Sequence, residues 1–201
     1  MEFLKTLVFL TAVIDPLGAI PVFLDATKQF ENPTKRKIAI RATIFAALIL
    51  IFFISVGQHI METMEISLSA FQISGGLILF LFSLTMVFGH GKLLDEKHSV
   101  LKSEHVTIFP VAMPGIASPG AIMAVVLLTD NYTYTIGQQA ITTLILLLVL
   151  IITGGVLLAA GKIQSKIGDI GITVISKIMG LILASFAIQN ILSGIKEYFR
   201  L

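Results

Sequence analysis

Ile14-Asp15-Pro16-Leu17-Gly18 puts a carboxyl group, a proline and a glycine within one short piece of an otherwise apolar stretch. A second stretch, Phe109-Pro110-Val111-Ala112-Met113-Pro114-Gly115-Ile116-Ala117-Ser118-Pro119-Gly120, repeats the pattern with a hydroxyl in place of the carboxyl. Of the 6 prolines, Pro16, Pro21, Pro110, Pro114 and Pro119 fall in these two stretches, and only Pro33 lies elsewhere. Proline lacks an N–H and clashes with the carbonyl four residues back, while glycine accepts left-handed backbone. Clustered this way, they interrupt a helix rather than bend it. An interruption exposes N–H groups that attract a carboxylate and carbonyls that attract an ammonium or a cation. Two interruptions facing each other would grip a small zwitterion at both ends. The competing reading is a pair of proline-kinked helices with mechanical roles only.

Asp15 sharpens the case. An acid at the centre of a spanning helix costs about 2.5–3.5 kcal/mol on insertion scales, and no basic residue stands in any predicted mid-span to neutralise it. Asp-Pro is an ordinary N-cap followed by proline at the first helical position. The carboxylate is therefore expected to accept the N–H of Leu17 or Gly18, and Ser118-Pro119 offers the same arrangement. Capping is the preferred role; a proton or sodium role for Asp15 stays open. Gln72 and Ser74, followed by Ser83 and Thr85, and Gln189, Asn190 and Ser193 are secondary cavity candidates. Amides and hydroxyls also bridge membrane helices at about 0.6 kcal/mol each, and that structural use is preferred. His59, His90, His98 and His105 fall in loops or at span ends, and the chain has no cysteine. No metal set, nucleophile-base pair or Gly-rich Lys-Ser/Thr nucleotide loop emerges, so neither an enzyme nor a bound cofactor is expected.

The elements that position these residues follow from composition. The chain is 56% hydrophobic and 13% charged, against about 25% charged in a soluble domain. Residues 42–61, 66–91, 105–129, 131–161 and 178–195 contain no Asp, Glu, Lys or Arg. Each gap reaches or approaches the roughly 20 residues of a spanning helix. Six spans are predicted, at about 3–25, 38–58, 67–89, 106–128, 140–161 and 172–195, with Asp15 and Ser118 near mid-span. A signal peptide at the start is disfavoured, because Asp15-Pro16 breaks the apolar core and no small-residue cleavage pattern follows. Lys28, Lys35, Arg36, Lys37, Arg41, Lys92, Lys97, Lys102, Lys162, Lys166 and Lys177 would share one side, against Lys5, Lys196 and Arg200 on the other. Basic loops stay inside, so both termini are expected outside. A net charge of +2 leaves no nucleic-acid footprint. The lipid bilayer is the expected surrounding, and self-association is left open.

Internal similarity adds a plan. Pro16 and Pro119 are offset by 103, Gly18 and Gly120 by 102. Gly76-Leu77-Ile78-Leu79 matches Gly180-Leu181-Ile182-Leu183 at an offset of 104, as Gly57 matches Gly161. Spans 1–3 and 4–6 read as a duplicated unit within one transmembrane domain over 1–201. Repeat one covers about 1–90, repeat two about 105–201, and a cytoplasmic loop of about 90–104 joins them. Three spans are an odd number, so the second copy enters from the opposite side. The expected fold is all-α and polytopic, six transmembrane helices in a 3+3 inverted repeat with spans 1 and 4 broken near the midplane, an architecture of secondary transporters. Similar apolar helices without duplication are the alternative.

Asp15-Pro-Leu-Gly-Ala-Ile-Pro-Val-Phe-Leu24 and Phe109-Pro-Val-Ala-Met-Pro-Gly-Ile-Ala-Ser-Pro-Gly-Ala-Ile122 resemble the two signature segments of the MarC family. That family comprises bacterial and archaeal inner-membrane proteins of about this length, and is similar to the LysE-type exporters. The resemblance implies transport, since SnatA-type members are regarded as carriers of small neutral amino acids such as glycine and alanine. It also implies substrate-site residues: Asp15, Pro16, Gly18 and Pro21 in one half, and Pro110, Pro114, Ser118, Pro119 and Gly120 in the other. The chain departs from the family's more usual Gly-Pro-Gly at Ser118-Pro119-Gly120 and from an aliphatic residue at Gly115. The expected function is a secondary transporter of small neutral amino acids, driven by a proton or sodium gradient. Export of amino acids or other small metabolites, and a structural or regulatory membrane subunit, are the alternatives.

Overall fold

The computed structural model describes residues 3–88 and 103–200, and every element among them is helical. The first predicted span is two helices, α1 (Phe3–Ile14) and α2 (Ala19–Thr27). Two long helices follow, α3 (Asn32–Thr63) and α4 (Leu68–Phe88). The fourth span comprises a short α5 (Ser103–Val106), a π-helical run over Thr107–Ile116, and α6 (Pro119–Leu128), bent by 55° at its break. α7 (Ile136–Leu158) and α8 (Ala160–Phe199) complete the chain. Five helical stretches are long and apolar enough to cross a membrane, or six when the bent pair is taken as one.

The half-helices form the middle of the bundle. α6 has 10 residues, about 15 Å at 1.5 Å per residue, roughly half a bilayer's hydrocarbon core. Gly120, Ala121, Met123, Ala124, Val125 and Val126 are all buried, so α6 is enclosed on nearly every side. α3 packs against α6, α7 and the π-helical run, and α7 also lies against α1 and α2.

α4 and α8 make the most extensive pairing, and they run antiparallel. A Cβ built on Gly194 would lie 2.9 Å from the Ser69 carbonyl, one on Gly76 would lie 3.0 Å from that of Ala187, and one on Gly180 would lie 3.0 Å from that of Ser83. Lipid tails are as apolar as leucine, so helices in a bilayer associate through close packing, which small residues permit. Gly76 and Gly180 serve that purpose.

Several boundaries differ from those predicted. α3 starts at Asn32, not near 38, because Pro33 fits its first turn, where the missing N–H is harmless. α7 starts at Ile136, not 140, because Thr135 and Gln138 form a reciprocal capping box. α8 continues across the predicted loop between spans 5 and 6, with its kink at Gly168 in left-handed backbone (φ 74°). The predicted cytoplasmic loop lies outside the described residues as far as residue 102, and His90 and His98 with it.

Candidate functional site

The first break is built by Asp15. α1 ends as the Asp15 N–H donates to the Thr11 carbonyl at 3.0 Å, and Asp15 itself turns left-handed at φ 46°. Aspartate tolerates that region better than most residues do. Pro16 and Leu17 carry the chain round, and the Asp15 carbonyl accepts the Ala19 N–H at 3.1 Å. Asp15 Oδ1 accepts the Gly18 N–H at 3.0 Å. The backbone N–H of Asp15 therefore closes α1, and its carboxyl holds the turn that leads to Gly18, the residue before α2. Its second oxygen, Oδ2, is buried and has no hydrogen-bond partner. Gly18 has ordinary helical backbone, so its glycine is a matter of space: a Cβ there would overlap Asp15 Oδ2 and come within 3.1 Å of Met86 Cε.

The second break repeats the device. Ser118 is extended (φ −68°, ψ 157°), Pro119 takes the first helical position, and Ser118 Oγ accepts the Ala121 N–H at 3.1 Å. Asp15 to Gly18 and Ser118 to Ala121 are thus matching bonds, 103 residues apart at both partners, although Ser118 is the N-cap of α6 whereas Asp15 stands three residues before that of α2. A Cβ on Gly120 would run into the side chain of Leu79. Leu79 and Met86 are two turns apart on α4, about 10 Å at 1.5 Å per residue. One helix therefore touches both breaks. Asp15 and Ser118 are 6% and 2% exposed, so both breaks are closed to solvent.

The second break reaches well beyond the Ser118-Pro119 step. Phe109 (φ −128°, ψ 126°) and Met113 (φ −136°, ψ 125°) are extended, each directly before a proline, where the proline ring disfavours helical backbone. Both following peptides, to Pro110 and Pro114, are cis. Interruption therefore begins nine residues before Ser118. Pro16 is buried beside Asp15, whereas Pro21 sits exposed in the first turn of α2, turned away from the break. Pro110 and Pro114 are half-buried.

The secondary candidates divide. Gln72 Nε2 donates to Asn190 Oδ1 at 3.4 Å, bridging α4 and α8. Ser74 is exposed and donates to the Phe71 carbonyl, and exposed Gln189 donates to Ser193. Ser83 and Thr85 donate to the carbonyls of Phe80 and Phe82 on their own helix. None of these hydroxyls or amides is bonded to either break.

Two features had no sequence signal. An apolar groove of about 470 Å³ opens between α1 and α8 and extends from Lys5 to Val13, close to Asp15. Hydrocarbon lines most of it, so it offers a zwitterion no partners there. At the far end of α3, Gln58 Oε1 accepts the Asn131 N–H at 2.8 Å, and Gln139 Nε2 donates to Asn131 Oδ1 at 2.9 Å. This polar seam ties the two predicted halves together. Beside it, the Glu62 carboxylate repels the phenolate of Tyr132 and bonds its hydroxyl, holding that phenol above its usual pKa. Among the described residues, no group of three or more His, Asp or Glu converges on a metal position.

Comparison with known proteins agrees with the helical plan. The family described as MarC family integral membrane protein matches residues 1–199. The chain is 34% identical over 191 residues to a UPF0056 membrane protein of Methanocaldococcus jannaschii, covering 92% of this chain and 91% of the relative. It is 35% identical over 208 residues to a UPF0056 membrane protein of Pyrococcus abyssi, covering 99% and 98%. The UPF0056 inner membrane protein YhgN of Escherichia coli K12 is 29% identical over 202 residues, again covering 99% and 98%. No solved structure matches.

Proposed function

The chain belongs to the MarC family of integral membrane proteins, and from that premise we propose that it is a secondary transporter of small neutral amino acids. In this reading it works by alternating access between two inverted halves, driven by an ion gradient, and carries out no chemistry on its cargo. The observation that carries the reading is the matched pair of capped breaks in one buried core. Backbone broken inside a membrane protein must be satisfied by protein or by a water-lined cavity, and paired interruptions mark transporter sites.

The inverted relation draws support from the α4–α8 seam. A Cβ on Gly76 would meet Ala187 and Ile191; beside an additional contact with Met86, one on Gly180 would meet Ser83 and Val87. Shifting every residue of the first set by 104 in the repeat gives the second. A two-fold interface has this self-complementary form, in which i touches j and the copy of j touches the copy of i. The rule extends to elements: α1 with α7 answers the π-helical run with α3, and α4 with α6 answers α8 with α2. Gly57 and Gly161 break the pattern, since a Cβ at Gly57 would crowd Val126 whereas Gly161 faces open space.

The caps constrain how cargo is held. The N–H groups of Gly18 and Ala121 are already taken, so a substrate carboxylate must use the neighbouring Leu17 or Gly120 N–H, or displace a cap. Both sites are also narrow, with Met86 and Leu79 pressing on Gly18 and Gly120, which favours the smallest side chains. Purified protein in liposomes should accumulate labelled glycine or alanine under an imposed ion gradient. If no small amino acid moves under any gradient, the reading fails.

A further inference from the structure

The geometry points to Asp15 as a proton-binding site: Oδ1 accepts the Gly18 N–H ahead of α2, while Oδ2 holds a proton whenever the break is closed. Three observations carry it. First, the two oxygens have different surroundings, one bonded to the Gly18 N–H and the other buried with no partner. Ser118 performs the same capping with a single neutral oxygen, so capping alone does not require a carboxyl group. Second, among the described residues no basic group bonds or pairs with it. α4, the π-helical run, α6 and α7 contain no ionisable residue. On α8 the ionisable residues are Lys162, Lys166, Asp169, Lys177, Lys196, Glu197 and Tyr198, which flank the apolar run 178–195. On α1 and α2 they are Lys5, ten residues away, and Asp25, which pairs with Lys28 at 3.0 Å. Third, an isolated carboxylate buried in a low-dielectric interior costs far more than a neutral acid, and such groups neutralise. A proton does this without a coordination shell, which a metal ion would need.

The use of the proton follows from where it sits. A Cβ on Gly18 would overlap Asp15 Oδ2, and the Gly18 N–H bond to Oδ1 ties the carboxyl to the α1–α2 turn. When the break opens and water enters, the charged form is solvated and the proton passes to that water. When it closes, a proton from the water then present returns to Oδ2. Closure is thereby linked to proton uptake from whichever face is open. Only this coupling role rests on the transporter reading; the protonated state of the closed break is independent of it.

Infrared difference spectroscopy tests the site directly on the full chain, in a detergent without ester groups. A protonated-carboxyl C=O stretch is expected at neutral pH, shifting in heavy water and lost in Asp15→Asn, which keeps the capping oxygen. Asp130, the other buried acid among the described residues, accepts from Thr133, and its contribution remains in that variant. Should Asp15→Asn fail to insert, Asp15→Glu moves the band instead of removing it. Absence of any band assignable to Asp15 overturns the proposal. In liposomes, the wild type should acidify or alkalinise the lumen in step with substrate movement. Substrate movement with no proton movement overturns the coupling role. A band without any substrate movement leaves the site standing and rejects the transporter reading.

Discussion

Replacing Ser118 by alanine removes one oxygen from the middle of the bundle, and its consequence can be worked out. Ser118 is 2% exposed, and its Oγ accepts the Ala121 N–H at 3.1 Å. Loss of a serine N-cap costs about 0.5–2 kcal/mol where water can replace it. Here water has no access, and an orphaned buried donor costs about 1–3 kcal/mol. A shift of about 1–3 kcal/mol corresponds to about 5- to 150-fold in an equilibrium. Hydrogen–deuterium exchange on the intact protein reads this at the amide itself. Exchange at Ala121 in Ser118→Ala should accelerate by that factor, with α7 amides unchanged. Ser118→Thr, which keeps the acceptor, should restore protection. If Ser118→Ala leaves Ala121 exchange within about twofold of wild type, the hydroxyl does not hold α6.

Gly76→Ala and Gly180→Ala should each destabilise the fold by about 1–3 kcal/mol through overpacking, and by similar amounts if the seam is two-fold; thermal unfolding in detergent measures both. Gly155→Ala should be neutral or stabilise by up to about 1 kcal/mol in the same assay, since its Cβ meets open space inside a helix. Ultraviolet titration should show Tyr132 ionising above the ordinary range, because the Glu62 charge opposes its phenolate. Glu62→Gln should lower that transition towards about 10; an unchanged curve would remove the pairing. A reporter fused after Leu201 should be active outside the cell, and cytoplasmic activity would reverse the predicted orientation.

Much of the site is legible from local chemistry. Ser118-Pro119 announces a cap because proline fixes the first helical position, and at both breaks a short side-chain oxygen reaches the N–H three residues on, although α2 begins only at Ala19. The Gly76 and Gly180 pair is legible from its repeat. What escaped depends on contacts distant in sequence or on competing backbone preferences. The Gln58–Asn131 bond spans 73 residues, and nothing local to either residue predicts it. Within the stretch read as interrupted, it is the residues before Pro110 and Pro114, Phe109 and Met113, that turn extended. Composition placed the spans better than their ends, since α7 is started by the polar pair Thr135 and Gln138 outside the apolar run. The orphaned Asp15 oxygen could not be foreseen either: a sequence shows that a carboxyl is present, not which of its oxygens is used.

The central claim is that the paired breaks form a transport site for a small neutral amino acid. Its most direct test is uptake of labelled glycine and alanine into proteoliposomes under imposed proton and sodium gradients, with Gly18→Val and Gly120→Val alongside. The wild type should accumulate substrate above equilibrium, and both variants, inserted normally, should lose uptake as their side chains enter the space of Asp15 and Leu79. Wild-type vesicles that accumulate neither amino acid, or variants that transport as well as the wild type, would contradict the claim.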